Sequence, residues 1–149
     1  MPDTTPVGAP LLAIDPGTAK CGIAVVQPRA DGTSGALHRE VVETERLVAR
    51  VLPLVSTHSV VTVLIGNATN GAVLRRALRQ ALPEAVAVVP VDEAFTSQRA
   101  RVRFQLENQP RGWRKLVPIG LRTPPRAYDD YVAQLLAEDY LAAEAARKD

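Results

Sequence analysis

The order of apolar runs and turns in this 149-residue chain predicts an α/β fold. The expected core is a mixed five-stranded sheet, three antiparallel strands first, with helices on both faces. Three observations predict it. Three strand-like segments come early and are joined by short turns, and a short turn can only join antiparallel strands. Two further strand-like segments then alternate with helical patterns, which implies right-handed parallel crossovers. Apolar residues make up 46% and charged residues 23%, the balance of a globular chain rather than a disordered one. A chain of this length fits one domain and buries roughly 70% of its unfolded surface.

Each element has a local reason. Residues 1–10 hold prolines, a glycine and short polar residues, and are expected as a flexible tail; residues 11–149 are expected as a single domain. Residues 11–14 (LLAI) are apolar without alternation, the mark of a central strand covered on both faces. Asp15-Pro16-Gly17-Thr18 is turn chemistry, and residues 22–26 complete a hairpin. A second turn at 29–35 leads into a third strand over 36–41. Residues 43–58 show helical spacing through Leu47, Val48, Val51 and Val55, with Pro53 expected to bend or end the helix.

Residues 60–65 (VVTVLI) form the strongest buried-strand signal, closed by Gly66-Asn67-Ala68-Thr69-Asn70-Gly71. Residues 73–82 read as a helix with Leu74, Ala77, Leu78 and Ala81 inward. Residues 85–91 are the fifth strand, ending at Asp92-Glu93. Residues 97–107 read as a basic helix. Residues 109–125 carry four prolines and two glycines and read as a long loop, which in a compact domain is usually functional. Residues 126–147 are the longest helix, started after a proline pair. This order is a ribonuclease H-like arrangement.

Some classes are excluded or disfavoured. The single cysteine, Cys21, cannot form an internal disulfide or a multi-cysteine zinc site, and fits a reducing compartment. No apolar run approaches a membrane span, and the first residues lack a basic stretch followed by an apolar one. A cytoplasmic protein is expected. The net charge of +2 hides an asymmetry: residues 96–126 carry eight Lys or Arg against one acid, Glu107. That segment is +7, and the remainder is −5. So basic a segment points to an anionic partner, nucleic acid first.

Acids stand at three places where an apolar element meets its end. Asp15 ends the first strand, Asp92 and Glu93 end the fifth, and Asp129 and Asp130 open the last helix. Helical spacing from Asp129 runs through Val132, Ala133, Leu136 and Tyr140, so Asp129 is expected to face the sheet. Asp130 is expected as a solvated acid favoured by the helix dipole. Asp92 and Glu93 point to opposite faces if the strand continues, and spacing does not choose between them. Clustered carboxylates repel unless a cation lies between them, and oxygen-only ligation suits Mg²⁺ or Mn²⁺. Two such ions roughly 4 Å apart could bracket a phosphodiester. Each motif alone has a plain structural explanation, as a turn, a strand end or a helix start. Together, in this order and beside a basic segment, they point to a metal site.

At these residues the sequence resembles a known family. Leu12-Ala13-Ile14-Asp15-Pro16-Gly17-Thr18 followed by Gly22-Ile23-Ala24-Val25 looks like the opening hairpin of the YqgF (RuvX) family and of its relative, the RuvC Holliday junction resolvase. Val91-Asp92-Glu93-Ala94-Phe95-Thr96-Ser97 is similar to the second YqgF motif, with Ala94 where an Arg is usual. Residues 129–141 are similar to its last helix, an Asp followed by Ala-Ala and ending in Tyr-Leu; Val132 stands where RuvC has a second aspartate. Pro16 matches RuvC, whereas the acid set matches YqgF. The resemblance implies a ribonuclease H-like fold and Mg²⁺- or Mn²⁺-dependent phosphodiester cleavage. It carries catalytic, metal-binding roles to Asp15, Glu93 and Asp129, and so chooses Glu93 over Asp92. It also implies branched DNA or precursor ribosomal RNA as substrate.

Further residues suit a nucleic-acid interface. Lys20 lies in the first hairpin turn beside the proposed site. Gly66, Asn67, Asn70 and Gly71 follow a buried strand, where their amides could hold a phosphate. Arg99 and Arg103 share a helix face, and Trp113 amid Arg111, Arg114 and Lys115 could stack on an unpaired base. Resolving a four-way junction takes two symmetric cuts, which predicts a two-fold homodimer. Two other functions fit parts of the pattern: a catalytically silent nucleic-acid-binding module, and a nucleotide phosphotransferase, which would need a second lobe.

Overall fold

A computed structural model describes residues 2–67, 70–92 and 129–148. Its strands are β1 (Leu11–Asp15), β2 (Lys20–Pro28), β3 (Ser34–Glu43), β4 (Thr62–Gly66) and β5 (Ala87–Val91). A 3₁₀ turn, Thr44–Arg46, leads into α1 (Leu47–His58); α2 (Gly71–Ala81) follows β4, and α3 spans Asp129–Lys148. The expected helix over 97–107 and loop over 109–125 lie outside the described residues. Among the described residues no helix is long and apolar enough to cross a membrane.

The sheet order is β3-β2-β1-β4-β5. β1 pairs antiparallel with β2, and β2 with β3, whereas β1, β4 and β5 run parallel. This is the mixed sheet that the turn lengths predict, with the short connections antiparallel and the helical connections parallel. β1 lies at the centre, and its first four residues are buried, as its unbroken apolar run requires.

Strand alternation divides the core in two. Leu12, Ile14, Ile23, Val25, Val63 and Ile65 face α1 and α2, meeting Leu47, Val51, Leu74 and Leu78. Burying each such side chain is worth about 1.5–3 kcal/mol relative to leaving it exposed. On the other face Leu11, Ala13, Ala24, Val26 and Leu64 meet Ala133, Leu136 and Ala137 of α3. Alanines on both sides of that contact let α3 lie close to the sheet.

Two local details bear on these expectations. Of the two outcomes expected at Pro53, the helix does not end there: α1 continues through it to His58. Leu54 and Val55, just beyond the proline, are buried in the core and hold the last turn in place. The helix closes at Ser59, a left-handed residue at φ 55°. The N-terminal segment, expected to be loose, is bonded down. Val7 N–H donates to Pro28 O at 3.0 Å, Ala30 N–H to Thr5 O at 2.9 Å, and Asp31 N–H to Asp3 O at 2.9 Å. The polar composition of this segment hid backbone pairing, which needs no apolar side chain.

Candidate acidic site at the sheet edge

The parallel strands end together. Asp15 is the last residue of β1 and stands opposite Gly22. Ile14 is level with Ile65, and Gly66 with Val91, so the ends of β1, β4 and β5 form one edge. Asn67 extends that edge, its N–H donating to Val91 O at 3.0 Å. Asp15 is half-buried and has the same parity as Leu11 and Ala13, which places it on the α3 face. Lys20 is exposed and begins β2 beyond the same edge, in phase with Gly22 and Ala24.

Helix α3 begins at this edge. Its later residues Glu138, Leu141, Ala142 and Ala145 line a groove with Val7, Pro28 and Ser34, at the opposite end of the sheet. The helix therefore runs antiparallel to β1, and its first residues, Asp129 and Asp130, lie towards the end of β1 that carries Asp15. A long helix with acids in its first turn is locally favourable, since the N-terminal N–H groups carry partial positive charge.

Asp130 departs from expectation. It is 4% exposed rather than solvated, and its Oδ1 accepts the Tyr131 N–H at 3.0 Å. The reason is the orientation of the helix. Val132 does not belong to the sheet-facing stripe; it is buried with Tyr131 and Leu135 in a separate cluster. The stripe on the sheet is Ala133, Leu136 and Ala137, joined by the half-buried Tyr140 and Leu141. Asp130 is three residues before Ala133 and seven before Ala137, so it lies on the flank of that stripe. Sequence reasoning gave the large Val132 more weight than the small Ala137. Repeated alanines at helical spacing were the signal available.

The second helix closes the edge from the other face. Gly71, its first residue, packs so tightly that a Cβ there would run into the Gly66 carbonyl oxygen and lie 3.6 Å from Pro16 Cγ. Gly17 is similarly confined by the Lys20 carbonyl, which makes the glycine of the first turn a steric requirement. Asn70 precedes α2; its carbonyl oxygen accepts the Leu74 N–H at 3.1 Å, and its buried Oδ1 has no hydrogen-bond partner among the described residues.

Asp92 follows β5 directly and is exposed. Val89 and Val91 pack against the α3-side cluster, and the strand ends at Val91, before Asp92. Among the described residues, no three His, Cys, Asp or Glu gather closely enough to hold one metal ion. Glu93, Arg99, Arg103, Trp113, Arg114 and Lys115 lie outside the described residues, and for Asp129 the description covers the backbone alone.

Comparison with known proteins gives the class of fold. No protein-family profile matches the chain, and no curated protein sequence matches it. Among solved structures, it is similar to RuvC from Thermus thermophilus: 22% identity, TM-score 0.59, covering 91% of this chain and 96% of that one. It is also similar to a fowlpox virus resolvase solved with its Holliday junction DNA substrate, at 11% identity and TM-score 0.62, covering 91% and 98%. The yeast mitochondrial Holliday junction resolvase Ydc2 matches at 13% identity and TM-score 0.56, covering 95% and 81%. The chain thus has the ribonuclease H-like fold of these resolvases. The comparisons do not single out the YqgF branch.

Proposed function

We propose that this chain is a divalent-metal-dependent nuclease that cuts phosphodiester bonds in structured nucleic acid, with a four-way DNA junction as its first substrate class. The observation that carries this reading is the position of Asp15. It ends the central strand on the face where α3 begins with two acids. The shared fold supports it, since Thermus thermophilus RuvC and the fowlpox virus resolvase have both been solved with Holliday junction DNA.

In this reading Asp15, Glu93 and Asp129 are the metal ligands. The resemblance of residues 91–97 to the second YqgF motif supports Glu93 as the acid contributed after β5. Carboxylate oxygens are the right donors for Mg²⁺ or Mn²⁺, and the oxygen-only character of Asp15 and Asp129-Asp130 fits such ions. When bound, a pair of ions would supply charge stabilisation to the attacking and leaving oxygens of the phosphodiester. The protein's part is to hold the acids on rigid elements at one edge. Lys20, Asn67, Asn70, Arg99, Arg103, Trp113, Arg114 and Lys115 would bind the nucleic acid, the cations through its phosphates and Trp113 by stacking. Paired cuts in a junction would require two copies of the chain.

The test uses the whole chain and its Asp15→Asn variant. Each is incubated with a labelled four-way DNA junction and with a folded precursor ribosomal RNA, in Mg²⁺, Mn²⁺ or EDTA. Paired junction cuts that vanish in EDTA and in the variant are the expected result. Cleavage of RNA alone would move the substrate to precursor RNA. Binding without cutting in any metal would replace the nuclease by a silent binding module.

A further inference from the structure

We infer that Arg39, in the middle of the edge strand β3, is a positioning residue for the acidic start of α3. Arg39 stands opposite Ala24, on the α3 face of the sheet. Its guanidinium carbon lies 4.3 Å from the centroid of the Tyr131 ring. Its Nη1 donates to Gln134 Oε1 at 3.4 Å, and Gln134 Nε2 donates in turn to Glu138 Oε1 at 3.2 Å. One exposed side chain thus spans from the sheet to two positions in the first turns of α3.

The link reaches the acids through one residue. Tyr131 is buried, at 5% exposure, and its N–H is the donor to Asp130 Oδ1. Fixing the Tyr131 ring therefore fixes the backbone that carries Asp129 and Asp130. Such a fastening is needed at this point. The first four N–H groups of a helix have no intrahelical partner, so helix starts are prone to fray. A catalytic carboxylate tolerates little displacement, since an error of about 1 Å can cost roughly a hundredfold in rate. The planar guanidinium stacks on a ring as an ammonium does not, so lysine is not an equivalent at this position.

A direct phosphate contact is the competing role for an exposed arginine near a nucleic-acid site. It predicts a different kinetic change, in substrate binding and its salt dependence. The inference rests on the nuclease reading only for its kinetic test.

The experiment compares wild type, Arg39→Ala and Arg39→Lys. Junction cleavage is followed at varied substrate and Mg²⁺, and backbone amide exchange at Tyr131, Val132 and Ala133. In Arg39→Ala, kcat should fall about tenfold or more, with KM within roughly twofold of wild type. The Mg²⁺ needed for half-maximal rate should rise. Arg39→Lys should not restore kcat. Exchange at the three amides should quicken, while Val25 and Leu64 in the sheet stay unchanged. A raised KM with unchanged kcat, corrected by Arg39→Lys, would overturn the inference in favour of a phosphate contact. If wild type proves not to cut, the exchange data still decide. Faster exchange upholds the fastening while the nuclease reading falls, and unchanged exchange overturns the fastening itself.

Discussion

Gly71 opens the second helix directly against the carbonyl oxygen of Gly66, with no room for a side chain between them. The contact joins the end of β4 to the start of α2, on the edge where Asp15 ends β1. Two effects oppose each other in Gly71→Ala. Helix propensity favours alanine by at most about 1 kcal/mol, and less at a first position. Overpacking against rigid backbone costs about 1–3 kcal/mol. The steric term wins, and the melting temperature should fall by roughly 3–10 °C. Thermal unfolding followed by circular dichroism checks this; an unchanged or raised melting temperature would show that the loop yields freely.

Sequence patterning made the sheet legible because its signals are redundant. The unbroken apolar run of 11–14 marked a strand covered on both faces, and β1 is the centre of the sheet. Turn lengths gave the antiparallel pairs, and the intervening helices gave the parallel ones. The face of the last helix was less legible. Val132 and Leu136 outweigh Ala133 and Ala137 in any hydrophobic pattern, yet a close helix–sheet contact selects small residues, and the burial of Asp130 went unseen. Arg39 was unreadable for another reason. Its partners Tyr131 and Gln134 are distant in sequence, and an exposed strand arginine carries no local mark of its contacts.

The two aspartates that open α3 can be separated by substitution. Asp129→Asn removes a proposed metal ligand and should lower cleavage roughly a hundredfold or more, since a loosened metal would stabilise transition-state charge less. Asp130→Asn keeps an oxygen that can accept the Tyr131 N–H and removes a charge from a site only 4% exposed. The local hydrogen bond to the helix start is thereby kept. Asp130→Asn should therefore retain activity within about tenfold and melt within a few degrees of wild type without metal. Single-turnover cleavage and metal-free melting curves measure both. The reverse order of activities would transfer the third acid to Asp130.

Acid should loosen the N-terminal ribbon before it affects the core. Asp3 is held below the usual carboxylate range by the Thr5 hydroxyl first and the Thr5 N–H second. The Thr33 hydroxyl and then its N–H do the same for Asp31. The two turns are joined by the Asp31 N–H to Asp3 O bond. A carboxyl whose pKa is depressed by folding contributes stability above its unfolded pKa and loses it as pH falls through its folded value. Asp3 is exposed and Asp31 partly so, so solvent screens the effect and it stays local. The Thr5 and Thr33 amide protons, followed by NMR from pH 7 downward, should titrate with midpoints below that of an aspartate in a short unstructured peptide. Core amides such as Ile14 and Leu64 should not move over the same range. Asp31→Ala should remove the titration at Thr33 and weaken that at Thr5 through the broken ribbon. Midpoints equal to the peptide value would mean that these turns do not hold their carboxylates in solution.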